Sequence, residues 1–483
     1  MHRVLDVHAK AGDLRAGPVH EVRVALRSCR AIAAGMRELD GDKGWRRMNK
    51  QARGLFQALG ELRDGQALAE VLSKLAPRND STRVALQKAL DESEAEHRKE
   101  AGRALKKFDR KRWKKLTRRL PGRTVRLELD SPVFQHMALQ RLGEVRDLHM
   151  RALRANTRPT FHELRIAVKR LRYVVDNFLP SIHAAWGKRL RQVQSLLGDL
   201  HDVDNLERML GQPELHIGAQ LRRKWERRMD QRGRKMMQEY RELSEGSEPL
   251  WPAIRAQLPD GDALRTCVRA KLTAWAEFRD PDPAHARHVS KLALDLFDGL
   301  AKAGLNSPFG ELGARELLEA AALLHNVGRS GGKKGSQKRA WREIRDLQPP
   351  IGWIDSDVQT VALLARYHRG ALPSARQKTF AQLPVAARER LVKLAGVLRL
   401  AVAFDATEDG RVSRLWVDVG PEAIIINAKG YLRQDKNSRE LAQQKALIES
   451  ALNRLILVRP GAPAHVTIAH AAAARADDFN EEE

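Results

Sequence analysis

Two stretches of this chain place a histidine ahead of three cationic side chains at one spacing. They are His20, Arg23, Arg27 and Arg30 in VHEVRVALRSCR, and His162, Arg165, Lys169 and Arg172 in FHELRIAVKRLRY. The relative positions are 0, 3, 7 and 10 in both copies, and at 100° per residue in a helix they fall within an arc of about 80°. Guanidinium and ammonium groups aligned this way suit a polyanion. Each charge-assisted hydrogen bond is worth about 1.5–3 kcal/mol before desolvation and ordering costs. The histidines add neutral donors, or charge below about pH 6.5. A different chemistry is suggested further along by His285 and His325. Histidines combined with carboxylates hold divalent metals that generate a hydroxide nucleophile.

The elements that position the first set are amphipathic helices. Opposite the cations lie Val19, Val22, Leu26, Cys29, Ile32, Ala33 and Met36 in the first copy. Phe161, Leu164, Val168, Leu171, Val174, Val175 and Phe178 match them in the second. Each helix therefore has an apolar face for a core and a dense cationic face. A second matched segment follows each copy: RGLFQALGELRD, from Arg53, aligns with RQVQSLLGDLHD, from Arg191. In that register Lys50 matches Lys188, Gly60 matches Gly198 and Asp64 matches Asp202. Two helix pairs with the same chemistry imply an internal duplication. Asp64 and Asp202 read as ion-pair or capping partners rather than an acid/base pair. Between the copies Ser93 to Leu120 is very basic, with KKFDRKRWKK at its centre, Pro121-Gly122 breaks the chain, and Ser131 to Asn156 is amphipathic. Any one such basic helix reads as a solvated face. A histidine at position 0 twice is what favours binding. A further basic helix from about Glu214 to Ser244 and PLWPAIRAQLP complete a first domain over 10–258.

The chain has 483 residues, enough for two to four domains, and its 87 Lys and Arg against 61 Asp and Glu leave a net charge of +26. That excess calls for an anionic partner: nucleic acid, a membrane surface or polyphosphate. Aromatics make up only 5%, which counts against platforms for base stacking. Cys29 and Cys267 both sit in apolar helical patterns and read as buried free thiols, suiting a reducing cytoplasm. The start, MHRVLDVHAK, has no apolar signal core, and no run reaches the length of a membrane span. A soluble, cytoplasmic protein with no membrane partner is expected.

The repeated H-x-x-R-x-x-x-[RK]-x-x-R pattern resembles the CHAD family, the conserved-histidine α-helical domain, over nearly all of the first domain. The resemblance implies two four-helix bundles related by a pseudo-twofold axis, with a basic channel that binds inorganic polyphosphate. By position, His20, Arg23, Arg27, Arg30, His162, Arg165, Lys169 and Arg172 would line it, with Lys50, Arg53, Lys188 and Arg191 as a second tier. The sequence departs from symmetry at Ser28, whose partner position holds Arg170. Granule attachment, or a polyphosphate enzyme as partner, is implied by the family alone.

From 262 to 410 the pieces HARHVSKLALDLFD, LLHNVGRS, ARYHRGALPS and LRLAVAFD resemble the HD superfamily. More narrowly they resemble the C-terminal helical domain of the exopolyphosphatase/guanosine-pentaphosphate phosphohydrolase family. An active HD site takes a histidine, a His-Asp pair and a later Asp around a divalent metal. Here His285 and His325 hold two of those places, Asn326 stands where the paired Asp belongs, and the late Asp falls at Val402. No catalytic residue, metal or cofactor is expected from that set, and His285, His325 and His368 read as packing histidines. Lys333, Lys334, Lys338, Arg339 and Arg369 could extend an anion-binding surface. No actin-like catalytic domain accompanies this piece.

Residues 411–460 read as a small α/β appendage: RVSRLWVDV and AIIINAKG as a hairpin around Gly420-Pro421, then LAQQKALIESALNRLI as one helix and the apolar run LILV. Residues 461–483 read as a disordered acidic tail. The expected whole is mainly α: a pseudo-twofold pair of four-helix bundles, then an all-α HD-like domain with its appendage. Its expected function is non-enzymatic polyphosphate binding. The alternatives are an HD-type phosphohydrolase acting on polyphosphate or a nucleotide, and general nucleic-acid binding. No zinc knuckle, RNA-recognition signature or helix-turn-helix favours the last.

Overall fold

Long runs with a 3.6-residue apolar period and few internal Gly or Pro residues dictate helices, and helices make up most of the molecule. The computed structural model describes residues 2–12 and 14–462, which fall into two units, Met1–Lys271 and Leu272–Glu483. The acidic tail lies, from residue 463 on, outside the described residues.

The first unit opens with α1 (Arg3–Lys10), α2 (Ala16–Leu39), α3 (Lys43–Leu75) and α4 (Ser81–Lys107), each packed on the next. Short helices α5 (Arg110–Arg119) and α6 (Pro121–Thr124) follow. Then α7 (Pro132–Ala155), α8 (Arg158–Phe178), α9 (Pro180–Leu210) and α10 (Ala219–Glu245) repeat the same neighbour order. Helix α1 lies ahead of the boundary expected at residue 10. Helix α11 (Leu250–Ala256) follows, and the boundary between the units falls within α12 (Gly261–Glu277). The basic run expected as one helix is divided: Asp109 caps α5 by accepting from the Arg112 amide at 2.8 Å. The Pro121-Gly122 break is instead a single helical turn. Within KKFDRKRWKK the cations are exposed, while Phe108 and Trp113 are buried with ring centroids 5.4 Å apart.

The two four-helix sets meet where α2 packs on α8 and α3 on α9. The predicted apolar faces are buried, except that Ile32 is only half-buried. Gly35 allows the close approach: a methyl group there would stand 2.9 Å from the Phe178 ring. Asp80 ties the sets again. It caps α4 through the Thr82 and Arg83 amides, and accepts from Trp225 Nε1 at 3.1 Å and Arg228 at 3.0 Å on α10. Cys29 and Cys267 are buried free thiols.

The second unit is built on α13 (Pro283–Lys302), α14 (Ala314–Leu324), α15 (Ser336–Arg345), α16 (Asp355–Tyr367), α17 (Lys378–Ala381) and α18 (Val385–Phe404). A 3₁₀ turn, Val327–Gly331, links α14 to the loop before α15. Strands β1 (Arg414–Val419) and β2 (Ala423–Lys429) form the expected antiparallel hairpin. The apolar run after it is a third strand, β3 (Leu455–Pro460), parallel to β2. The helix before it is interrupted at Lys445, giving α19 (Lys436–Gln444) and α20 (Ala446–Leu452). Those two helices carry the chain back across the sheet, which a parallel third strand requires. The appendage closes on the helices: at Gly396 of α18 a methyl would meet Ile448 at 2.7 Å. Beside it Leu296, Val397, Val417 and Ile426 line a cavity of about 10 Å³ whose aliphatic walls offer a water no hydrogen-bond partner.

Candidate anion-binding site

Helices α2 and α8 bring the two cationic registers together. Lys169 lies within electrostatic reach of Arg165 on its own helix and of Arg27, Arg30 and Arg23 on α2. Burial first, then those guanidiniums, pulls its ammonium down to about 8. Aromatic rings floor the cluster. Phe56 of α3 lies 5.5, 5.9 and 4.7 Å from the guanidiniums of Arg23, Arg27 and Arg30. Tyr173 lies 5.3 Å from that of Arg172 and 6.0 Å from Lys169 Nζ. Cation–π contact of this kind is worth about 0.5–2 kcal/mol and holds charges in place without neutralising them. Among the described residues no carboxylate pairs with Arg27, Arg53, Arg165 or Lys169 within 4.0 Å. The Nε atoms of Arg27 and Arg172 are buried with no hydrogen-bond partner.

The other predicted positions divide. Arg53 is near enough to Arg30 to lower it, after burial. Arg30 Nε donates to Asn49 at 3.2 Å, and Arg172 is 3.6 Å from Asp176. Arg23 is only 9% exposed and is turned inward: it donates to the Leu59 and Gly60 carbonyls at 3.0 and 3.1 Å and stands 3.7 Å from Asp64. It supports α3 as much as it faces the cluster. His20, Lys50, Lys188 and Arg191 are exposed on their helices. Ser28 spans α2 to α8, donating to Asn177 Oδ1 at 2.5 Å, while Arg170 at the matching position points to solvent. Symmetry breaks at Ser28 because that position is an inter-helix contact.

Two features escaped sequence reasoning. His162 Nδ1 meets His201 Nδ1 at 3.3 Å; burial, then Arg165 and His162, holds His201 down to about 4. The repeat alignment pairs His201 with Arg63, and that substitution of one donor for another was the available signal. The second is the raised carboxyl of Asp202, a position expected only as an ion-pair or capping partner. Neither Asp64 nor Asp202 caps a helix, since α3 and α9 both run on past them. Asp64 is the ion-pair partner of Arg23, whereas burial, reinforced by Asp64 and Asp199 and opposed by Arg165, raises Asp202 to about 6.

In the second unit α13, α14, α16 and α18 bury a cluster of imidazoles. His325 lies 5.6 Å from His285 and 4.9 Å from His368 between ring centroids. His285 Nδ1 bonds Asp405 at 2.7 Å. His325 and His368 direct Nδ1 to the Ala322 and Ala365 carbonyls at 2.6 and 2.7 Å. The late carboxylate therefore comes from Asp405, three residues beyond Val402. Helix α18 ends at Phe404, and this swings the Asp405 side chain inward to 1% exposure. A divalent metal does not fit the set. Asn326 offers an amide where a carboxylate belongs, and Asp405 is committed to His285 and to the Gly410 amide. Among the described residues no group of three or more His, Cys, Asp or Glu is arranged to hold a metal ion. Burial holds His325 well below its ordinary range and His368 down to about 3, so both are neutral at neutral pH. Around them Arg339 donates to the Gly328 and Lys334 carbonyls, and Arg399 to those of Tyr367 and Gly370. Of the basic residues expected over 333–369, Arg339 and Arg369 hold loop carbonyls, whereas Lys333, Lys334 and Lys338 are exposed.

No helix among the described residues is long and apolar enough to cross a membrane. No curated protein matches the chain. Residues 4–211 match the CHAD domain model, and residues 273–452 match the model of Ppx/GppA phosphatase, domain III. The chain therefore carries a CHAD domain over residues 4–211 and a domain III of the Ppx/GppA phosphatase type over residues 273–452.

Proposed function

We propose that the first unit binds inorganic polyphosphate along the face shared by α2 and α8, and that the chain does not hydrolyse it. Both matched domain families relate to polyphosphate metabolism, which supports a polyphosphate-related role for the chain. The observation that carries the finer reading is Lys169, held among Arg165 of its own copy and Arg23, Arg27 and Arg30 of the other with no carboxylate partner. Like charges so close cost free energy until an anion enters, and a chain with a charge on every phosphate offsets that cost along its length. Polyphosphate has no bases to read, so the face needs a regular file of donors and no stacking platform. Lys50, Arg53, Lys188 and Arg191 extend the file as outer contacts. The second unit serves as an accessory or partner-binding surface.

The test is competition at physiological salt. Purified protein is loaded with labelled long-chain polyphosphate and challenged with unlabelled polyphosphate, single-stranded RNA and duplex DNA. Displacement by polyphosphate alone is the expected result. Equal displacement by nucleic acid would make the face a generic basic surface with a steep salt dependence. Release of orthophosphate from the bound chain, lost on changing both His285 and His325, would favour the hydrolase instead.

A further inference from the structure

The imidazole cluster of the second unit plays no part in that reading, yet it contains unpaired polar groups deep inside the fold. His325 and Asn326 are 1% and 4% exposed. His325 Nε2 and Asn326 Nδ2 are both buried with no hydrogen-bond partner. Unpaired polar atoms at such depth are uncommon and point to a missing partner. The two atoms have opposite requirements. Nδ1 of His325 faces the Ala322 carbonyl and therefore carries the ring proton, so Nε2 is an acceptor. The Asn326 amide nitrogen is a donor only. The occupant must donate one proton and accept others at neighbouring positions.

The surrounding charge narrows the class. The Arg369 guanidinium lies within electrostatic reach of Arg329, Arg339 and His325. It donates to the Lys333 carbonyl at 2.7 Å and to Ser336 Oγ. Asp405 is engaged with His285 and the Gly410 amide, and Glu408 with Arg329 at 2.7 and 2.8 Å. Asp280, buried within electrostatic reach of His285 and Arg329 and with Oδ2 unpartnered, is pushed toward its neutral form by burial. A metal ion would meet the Asn326 amide N–H and the Arg369 guanidinium.

We infer that this cluster binds a single tetrahedral oxyanion of the phosphate class, and that Asn326 is the residue that converts a cation site into an anion site. A monohydrogen phosphate group has what the two atoms need. Its hydroxyl donates to His325 Nε2, and its remaining oxygens accept from Asn326 Nδ2 and the Arg369 guanidinium. Sulfate is nearly the same size but carries no proton at neutral pH, so it leaves Nε2 unpaired and is rejected. The group can be free orthophosphate or the end of a polyphosphate chain.

The experiment uses the full chain and isothermal titration with orthophosphate, tripolyphosphate, sulfate and Mn²⁺, each repeated on Asn326→Asp and Arg369→Gln. Thermal unfolding monitors the fold of both variants, and the second variant covers the case in which the first does not fold. Orthophosphate binding at least tenfold tighter than sulfate is expected, weakened at least tenfold by either variant. Affinity for long-chain polyphosphate at the first unit should stay unchanged in both variants, so failure here leaves the first reading intact. Tighter binding of tripolyphosphate, lost in the same variants, assigns the chain end as the source; preference for orthophosphate assigns the free ion. Equal binding of sulfate and orthophosphate, unchanged orthophosphate affinity in both variants, or stoichiometric Mn²⁺ on the unmodified chain would overturn the inference.

Discussion

The two units are both rich in arginine, and they use it in opposite ways. Around α2 and α8 the cations rest on Phe56 and Tyr173, and several have no carboxylate partner. In the second unit Arg339 and Arg399 face backbone carbonyls, and Arg329 is closed onto Glu408. An arginine whose five donors are spent on carbonyls braces a loop, whereas one resting on an aromatic ring keeps its donors for a ligand. The number of basic residues in a segment therefore says little about binding. The first unit suits an extended anion touching many half-exposed groups, and the second suits one ion among a few buried ones.

The largest effect that would break this contrast comes from reversing the cationic register of α8. Charge reversal of Arg165, Lys169 and Arg172 to Glu should weaken polyphosphate binding by about three orders of magnitude or more. Three charge-assisted contacts at about 1.5 kcal/mol each amount to that factor. Helical content and thermal unfolding should hold, because the apolar side of the helix is untouched. Intact affinity in that folded variant would remove the face from consideration.

Most of this architecture was legible in the sequence because the apolar period and the repeated register are both local signals. The seven apolar positions of α8 are all buried, and the histidine-headed copies mark the two helices that meet. What could not be read were distances across the fold. Val402 lies in the resembled motif, but where α18 stops decides that Asp405 supplies the carboxylate. Arg23 matches Arg165 by position, yet it is the length of α3 that puts carbonyls 59 and 60 under its guanidinium. The parallel strand β3 was missed because LILV is too short to distinguish strand from helix by period.

The inward turn of Arg23 gives a sharper test within one helix. Arg23→Ala removes a second, charged donor from the Leu59 and Gly60 carbonyls and the ion-pair partner of Asp64, and should lower the stability of the first unit by about 1.5–3 kcal/mol. Arg27→Ala, one turn on, should leave stability within about 0.5 kcal/mol. It should instead weaken polyphosphate binding by about tenfold to a hundredfold. Denaturant unfolding and direct titration on both variants separate the roles; equal destabilisation by the two would erase the distinction.

The smallest effect is one of pH, and it belongs to Lys169. In the free protein its ammonium titrates near 8 against an ordinary 10.5. A bound polyanion favours the charged form and raises that value, so binding takes up a proton in the window above about 8. Affinity should be level below about pH 8 and decline above it, by at most about tenfold per pH unit for a single proton. Stability of the free protein moves the other way. Between about 8 and 10.5 the unfolded chain holds more of this proton than the folded one, so the contribution of Lys169 to stability rises with pH across that window. Lys169→Arg keeps the charge at all these values and should flatten the affinity profile while preserving binding at about pH 7. A profile that declines equally in both proteins would place the titrating group elsewhere, and with it the centre of the anion-binding face.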